Sequence, residues 1–438
     1  MQYNKYNYET YNLHTIKSDK FKSCHIEINF RDNITKESYL KSLFLSSLIQ
    51  LCTKKYPRRM DLRKRSEELY QTSLFASSYK MGASLLFMVG CDFINPTYIK
   101  DSHYLENVLC FFLDAVFEPN IVENGFDKDA FELVKNDILS EMDTACESPM
   151  SLASKNVVNL INGDNPLKFM LSNYDKSEVE SITKEDIYSY YKEVIEHYTA
   201  DIIVFGDLDF DFIKDYLSKN VAINTIKNHK ISLYTDIKKP KKPLFVKESS
   251  KFMQSTLLLG YSLENLTEKE KIYVSHVFDY IFCNGAFKSK LFANLREKNS
   301  LCYGVSSIYL KFNKLYVIKV SLAKENVSKA IKVIKNSLND MKNGLFEDEF
   351  IVETKKALTN YLKSSEDAMS SYINNCYLKE IDNFPSVNER IKSINLVTKE
   401  DIQNFAKKLK ELVIYVLEDG VKDEANWNKR LKWNYILW

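Results

Sequence analysis

Ser181-Ile182-Thr183-Lys184-Glu185-Asp186-Ile187 returns 215 residues later (183 to 398) as Leu396-Val397-Thr398-Lys399-Glu400-Asp401-Ile402. No other feature restricts the fold as much. Each threonine can cap a helix start, and the aspartate three positions on can answer it in a capping box. Each predicted helix leads into a short apolar run, Asp201-Ile-Ile-Val-Phe205-Gly206 in one copy and Glu411-Leu-Val-Ile-Tyr-Val416 in the other. A second echo lies upstream. Gly125-Phe126-Asp127 opens a helical stretch to Met142, and Gly344-Leu345-Phe346-Glu347 opens another to Leu362, the phenylalanines lying 220 apart (126 to 346). One capped helix would be weak grounds, because caps are common. A near-constant offset implies two homologous modules in tandem.

Between the copies, Tyr234-Thr-Asp-Ile-Lys-Lys-Pro240-Lys-Lys-Pro243 sets prolines among lysines and reads as a solvated, extended linker. The division is therefore expected at 229–246, with one module over 1–228 and a second over 247–438. In the first, Ser23 to Phe30 alternates like a strand, Tyr39 to Cys52 and Leu62 to Tyr70 read as helices, and Ser73 to Phe93 as paired strands. Helices fill much of 103–198. In the second, Gln254 to Tyr261 is a strand, Glu268 to Phe282 a helix, and Cys302 to Leu322 two strands. The expected class is α+β: two tandem modules, each an antiparallel sheet with helices on one face.

Composition narrows the function classes. Lys+Arg 61 against Asp+Glu 59 leaves no dominant basic footprint, so nucleic acid is not an expected partner. No apolar run approaches the roughly 18 residues that span a bilayer, and the polar N-terminus has no signal-peptide core. Eight scattered cysteines without a Cys-x-x-Cys pair fit a reducing compartment, so a cytoplasmic protein is expected. Walker, dinucleotide-binding and serine-elbow motifs are lacking.

The stretch with most chemistry is Leu291-Phe-Ala-Asn-Leu-Arg296-Glu-Lys-Asn-Ser-Leu-Cys-Tyr303-Gly-Val305. Leu291, Phe292 and Leu295 sit at helical spacing, Asn299-Ser300 is a turn, and a strand follows from Leu301. Such a corner can bring a guanidinium and a phenol toward one side. Two donors converging on a point can hold a carbonyl and then the oxyanion it becomes. The bland alternative is a surface arginine and a half-buried core tyrosine. Gly304 is expected to mark tight packing beside Tyr303. Cys302, with no basic partner in sequence, reads as a buried structural thiol.

Lys288-Ser-Lys-Leu-Phe-x-x-Leu-Arg-Glu-Lys-x-x-Leu-Cys-Tyr303 resembles the C-terminal module of the pitrilysin/insulinase family of zinc metallopeptidases, in its half-size, mitochondrial-processing-peptidase-like branch. The resemblance implies that the two modules form half of a hollow clam-shell. It implies that Arg296 grips the substrate carbonyl and that Tyr303 helps stabilise the tetrahedral intermediate. It also implies a zinc helix carrying His-x-x-Glu-His. That helix falls on Leu43-Phe-Leu-Ser46-Ser47, where leucine stands for the first histidine and serines for the glutamate and second histidine. Leucine cannot ligate zinc, and two hydroxyls do not replace a general base and an imidazole. The distant glutamate ligand survives in form as Glu141, for which a surface or salt-bridged helix residue is the plainer reading. The six histidines (14, 25, 103, 197, 229 and 276) form no pair on one helix, and each reads as structural.

By the same resemblance, Ser73 to Tyr79 takes the place of the family's substrate-pairing edge strand, with Phe75, Ala76 and Ser77 as candidate peptide-binding residues. The chain is thus expected to hold no metal of its own. It would form a heterodimer with a zinc-bearing half-size homologue, supply Arg296 and Tyr303 in trans, and act on short unfolded peptides. Similar proteins include insulinase-like proteins associated with elongation factor P modification in low-GC Gram-positive bacteria. The rival expectations are a non-catalytic scaffold or peptide binder, and an independent hydrolase with an unusual metal site around Glu141. The three tryptophans, 427, 433 and 438, fit either an interface anchor or a tail folded on its own domain.

Overall fold

The computed structural model describes residues 2–161, 165–223, 231–237 and 239–420. Trp427, Trp433, Trp438 and His229 lie outside them. The chain forms two compact units, and they interleave in sequence: 1–144 with 169–233, and 145–168 with 234–438.

The first unit opens with β1 (Gln2–Asn7), β2 (Asn12–Lys17) and β3 (Ser23–Asn33), then α1 (Lys36–Ile49) and α2 (Arg59–Glu68). The hairpin β4 (Ser73–Met81) and β5 (Ser84–Ile94) follows, with α3 (Tyr104–Phe117), the short ribbon β6 (Ile121–Val122) and β7 (Gly125–Phe126), and α4 (Lys128–Thr144). After the excursion into the second unit come α6 (Lys176–Glu180), α7 (Lys184–His197), β8 (Thr199–Gly206) and α8 (Phe210–Asn220); the excursion holds α5 (Pro149–Leu160). The sheet runs β1-β2-β8-β3-β5-β4. Along β3 the side chains alternate: Cys24, Ile26, Ile28 and Phe30 join the helical core, and His25, Glu27, Asn29 and Arg31 take the other face.

The second unit joins α5 to β9 (Leu244–Ser250), β10 (Ser255–Leu263), β11 (Cys302–Leu310), β12 (Leu315–Leu322) and β13 (Leu409–Asp419), in the order β11-β12-β10-β13-β9. Its helices are α9 (Ser275–Asp279), α10 (Lys290–Phe292), α11 (Val327–Lys342), α12 (Asp348–Ser365), α13 (Met369–Asp382), α14 (Val387–Asn395) and α15 (Lys399–Lys408).

Both repeated threonines cap as their spacing predicts. Thr183 Oγ1 accepts from the Asp186 N–H at 3.1 Å while Asp186 accepts the Thr183 N–H at 2.9 Å; Thr398 and Asp401 do the same at 3.1 and 2.8 Å. The helices they start, α7 and α15, each deliver the chain into an interior strand, β8 and β13.

Three features differ from the sequence reading. The sheets are mixed, since β2 pairs parallel with β8 and β13 parallel with β9. A long helical connection precedes each returning strand, and such connections permit parallel neighbours. The second sheet also carries helix on both faces. Leu257, Leu259, Ile414 and Val416 join the main helical core, while Leu258, Val413, Tyr415 and Leu417 pack with Ala153 and Val157 of α5 and with Ile161, its C-cap. Strands covered on both faces read as unbroken apolar runs, and Leu257-Leu258-Leu259 and Leu412 to Leu417 are such runs. β1 and β2 also lie in the polar, tyrosine-rich start to which the sequence reading gave no strand.

Candidate functional site

Arg296 sits in a π-helical turn, Ala293–Glu297, that continues α10, with the Lys298 N–H donating to the Ala293 carbonyl at 2.9 Å. Such wide turns recur at functional sites. Leu291 and Leu295, both fully buried, fix the turn to the core. Ser300 then takes the left-handed conformation (φ 49°), and the Leu301 N–H reaches back to the Leu295 carbonyl at 2.8 Å, closing the helix and starting β11. The predicted corner is therefore present.

β11 is an outer strand, paired only with β12. Its register slips between Cys302 and Gly304, so Tyr303 is the extra residue of a bulge. A bulge re-aims a side chain, and the Tyr303 ring is 79% exposed. The half-buried core tyrosine of the bland reading is thus not what forms. One of the five guanidinium donors of Arg296 goes to the Tyr303 carbonyl at 2.8 Å, and the guanidinium lies over the Phe292 ring at 5.1 Å. The two predicted residues are adjacent and both face solvent. Gly304 corrects another expectation: a Cβ built there meets nothing within 4 Å, so tight packing does not explain it. Cys302 is buried, and burial pushes its thiol up despite the charge of Arg296, so it is no ready thiolate.

Asn284 and Asp279 brace this strand from the helical side, and sequence reading missed both. The Asn284 carboxamide takes both backbone groups of Ser307, accepting its N–H at 3.2 Å and donating to its carbonyl at 3.0 Å. Asp279 accepts from the Ser307 hydroxyl (2.5 Å), the Tyr316 hydroxyl (2.8 Å) and the Asn284 amide (2.7 Å). Asn284 precedes Gly285 and looks like a turn signal; nothing in its spacing announces a strand contact 23 residues on.

In the first unit, Leu43, Ser46 and Ser47 lie on α1. Leu43 packs against the apolar core. Both serine hydroxyls donate to the Leu43 carbonyl, at 3.0 and 3.2 Å. Glu141 is exposed on α4, its charge felt by the half-buried Tyr39, whose hydroxyl burial raises first and Glu141 second. One apolar side chain, two hydroxyls turned back on their own helix and one exposed carboxylate do not fit zinc. Among the described residues no cluster of three His, Cys, Asp or Glu is arranged to hold a metal.

β4 is one of the two outer strands of the first sheet, opposite β1. The Phe75 ring lies on Gly90, where a Cβ would meet it at 2.5 Å, and its centroid is 6.0 Å from that of His25. The Ala76 carbonyl accepts from Gln50 Nε2 at 2.9 Å, and Ser77 is half-buried opposite Met88.

Comparison with known proteins agrees with this picture. Residues 181–358 match the family described as the peptidase M16 inactive domain. The probable inactive metalloprotease YmfF of Bacillus subtilis (strain 168) is 26% identical over 415 residues, covering 92% of this chain and 95% of that protein. A conserved protein from Enterococcus faecalis V583 superposes with a TM-score of 0.89 at 24% identity, over 96% of this chain and 99% of that one. A peptidase M16 inactive domain from Pseudomonas fluorescens gives 0.77 at 14% identity, over 96% and 98%. These two likenesses bear on the fold alone. The family match over 181–358, the curated relative and a zinc helix emptied of its ligands make this chain similar to the inactive homologues of the M16 peptidase family.

Proposed function

We propose that this chain is the non-zinc subunit of a heterodimeric M16 peptidase. In this reading a half-size homologue carries the zinc centre, and this chain provides Arg296 and Tyr303 in trans. The observation that carries it is the pairing of a guanidinium with a phenol displayed on a bulge at the outer strand of the second sheet. A tyrosine of that exposure contributes little to its own core, and four guanidinium donors remain beyond the one bonded to Tyr303. Both are donors, and both suit a carbonyl oxygen that gains negative charge. The substrates would be short unfolded peptides and the setting the cytoplasm, in keeping with eight unpaired cysteines.

Mixing the purified chain with a zinc-bearing half-size homologue tests the proposal. Peptide hydrolysis should appear only in the mixture. Loss of one such donor from a developing oxyanion costs about 100-fold or more in kcat, and that is the drop expected for Arg296→Ala and Tyr303→Phe. Full activity in both variants would leave the scaffold reading in its place.

A further inference from the structure

Tyr3, His14 and Asp201 stand on three neighbouring strands of the first sheet, β1, β2 and β8. Asp201 lies opposite both Asn12 and Asn29, which puts it on the sheet face of Arg31, away from the helical core. Asp201 and His14 are 4% and 2% exposed, and Tyr3, on the outer strand β1, is half-buried. The Tyr3 hydroxyl lies 2.8 Å from His14 Nδ1, and His14 Nε2 lies 3.4 Å from Asp201 Oδ1. We propose that Tyr3 is an activated nucleophile, with His14 as its general base and Asp201 orienting that base, and that it takes an acyl group from an activated acyl donor.

A carboxylate offers only acceptors, so Nε2 of His14 carries the proton and Nδ1 turns a lone pair to the phenol. The two rings are stacked, with centroids 6.0 Å apart and planes at 26°. Burial pushes the Asp201 carboxyl up, but its hydrogen bonds to His14 and to the Asn12 amide (2.8 Å), with the Arg31 guanidinium at 3.8 Å, hold it below its ordinary value, and it stays ionised. A nucleophile within reach of a base, itself held by a third group, is the arrangement covalent catalysis uses. In the acyl transfer, Tyr3 Oη bonds to the acyl carbon as the phenol proton passes to His14 Nδ1. The bond from that carbon to the leaving group breaks with its electron pair, and the imidazolium returns the proton to the leaving group. Asp201 meets the transient positive charge of the ring. The product is an aryl ester on β1. The inference is independent of Arg296 and Tyr303 acting in trans, and its test needs no partner.

The probe is N-acetylimidazole, which acetylates phenols, with the adducts on the full chain followed peptide by peptide by mass spectrometry. Tyr98, 62% exposed, is the internal reference. A general base within hydrogen-bond reach contributes about 100-fold or more, so Tyr3 should be acetylated about tenfold faster than Tyr98 although it is the less exposed ring. A His14 that only packs would leave Tyr3 the slower of the two. His14→Gln removes the base, and Asp201→Asn lets the imidazole settle in the wrong tautomer. Each should bring Tyr3 to the rate of Tyr98 or below. Circular dichroism controls for folding, and the comparison within the wild-type chain stands should a variant fail it. Tyr3 reacting no faster than Tyr98 in the wild type overturns the proposal, as does an advantage that survives either substitution in a folded chain.

Discussion

β4 and β11 each occupy one edge of their sheet, and the surroundings of the two strands are opposite in kind. β4 is drawn inward. Its Ala76 carbonyl is held by a helix-end glutamine, its Ser78 hydroxyl bonds α1, and its Phe75 ring fills the space over Gly90. β11 is braced only from the helical side, through Asp279 and Asn284, while Tyr303, Gly304 and Ile308 stand in solvent. An exposed edge invites pairing with any passing strand. One unit answers by stitching the edge shut. The other fixes single backbone groups with side chains and leaves a tyrosine in solvent. Among the described residues the first unit also holds no cluster of three metal-ligating side chains, whereas the second keeps both an open strand and a guanidinium and phenol in solvent.

The largest expected contrast is with pH. His25 lies behind β4, on the sheet face shared with Phe75. Burial pushes its imidazole down, but hydrogen bonds to Asp92 (2.7 Å) and Glu27 (3.0 Å) and their charges outweigh this and raise it from 6.5 to about 9. A raised folded-state value stabilises fully below the unfolded value and is lost as pH climbs through the folded one. The first unit should therefore lose on the order of 3 kcal/mol between pH 6.5 and 9 and beyond. Amide exchange across that range should accelerate in β3 to β5 ahead of β11 and β12. His25→Gln should flatten the dependence. Equal loss of protection in both sheets would break the contrast at its strongest point.

Asp279→Ala probes the bracing of β11. It strands the hydroxyl of the fully buried Tyr316 and releases Asn284 and Ser307 together. Leaving such a group unsatisfied costs about 2 kcal/mol, read as a lower urea midpoint with an unchanged slope. Exchange at Ser307 should rise while β4 stays protected. Loss of trans activity beyond the loss of folded protein would further show that Tyr303 depends on this bracing.

How much of this could be read beforehand follows from which interactions are local. The repeat was legible because a capping box places its partners three residues apart, and Thr183 and Thr398 cap as their spacing says. The Arg296–Tyr303 corner was legible because helix, turn and strand are consecutive. The burial of β10 and β13 on both faces was written in unbroken apolar runs, yet which element covered the second face was not, because α5 comes from residues 149–160, far along the chain. The parallel pairings depend likewise on where a strand returns, which no window of neighbours contains. Gln50, Asn284 and Asp279 escaped for a related reason. Each is an ordinary polar residue whose meaning lies in a partner 23 to 28 positions away, a backbone group for the two amides and a hydroxyl for Asp279, and such side chains carry no periodicity to betray it.

Two glycines give the smallest effects and the most direct comparison. At Gly90 a methyl would approach the Phe75 ring at 2.5–2.6 Å, so the ring must tilt off the sheet. Overpacking of this sort costs about 1 kcal/mol or somewhat more. At Gly304 the same methyl meets open space, and the residue is not in the left-handed region. There Gly→Ala only narrows the unfolded ensemble and should stabilise by about 0.5 kcal/mol. Urea titrations of Gly90→Ala and Gly304→Ala should therefore shift in opposite directions. A Gly304→Ala variant that loses stability would mean that something covers β11 in solution, and the strand read here as open would then be as closed as β4.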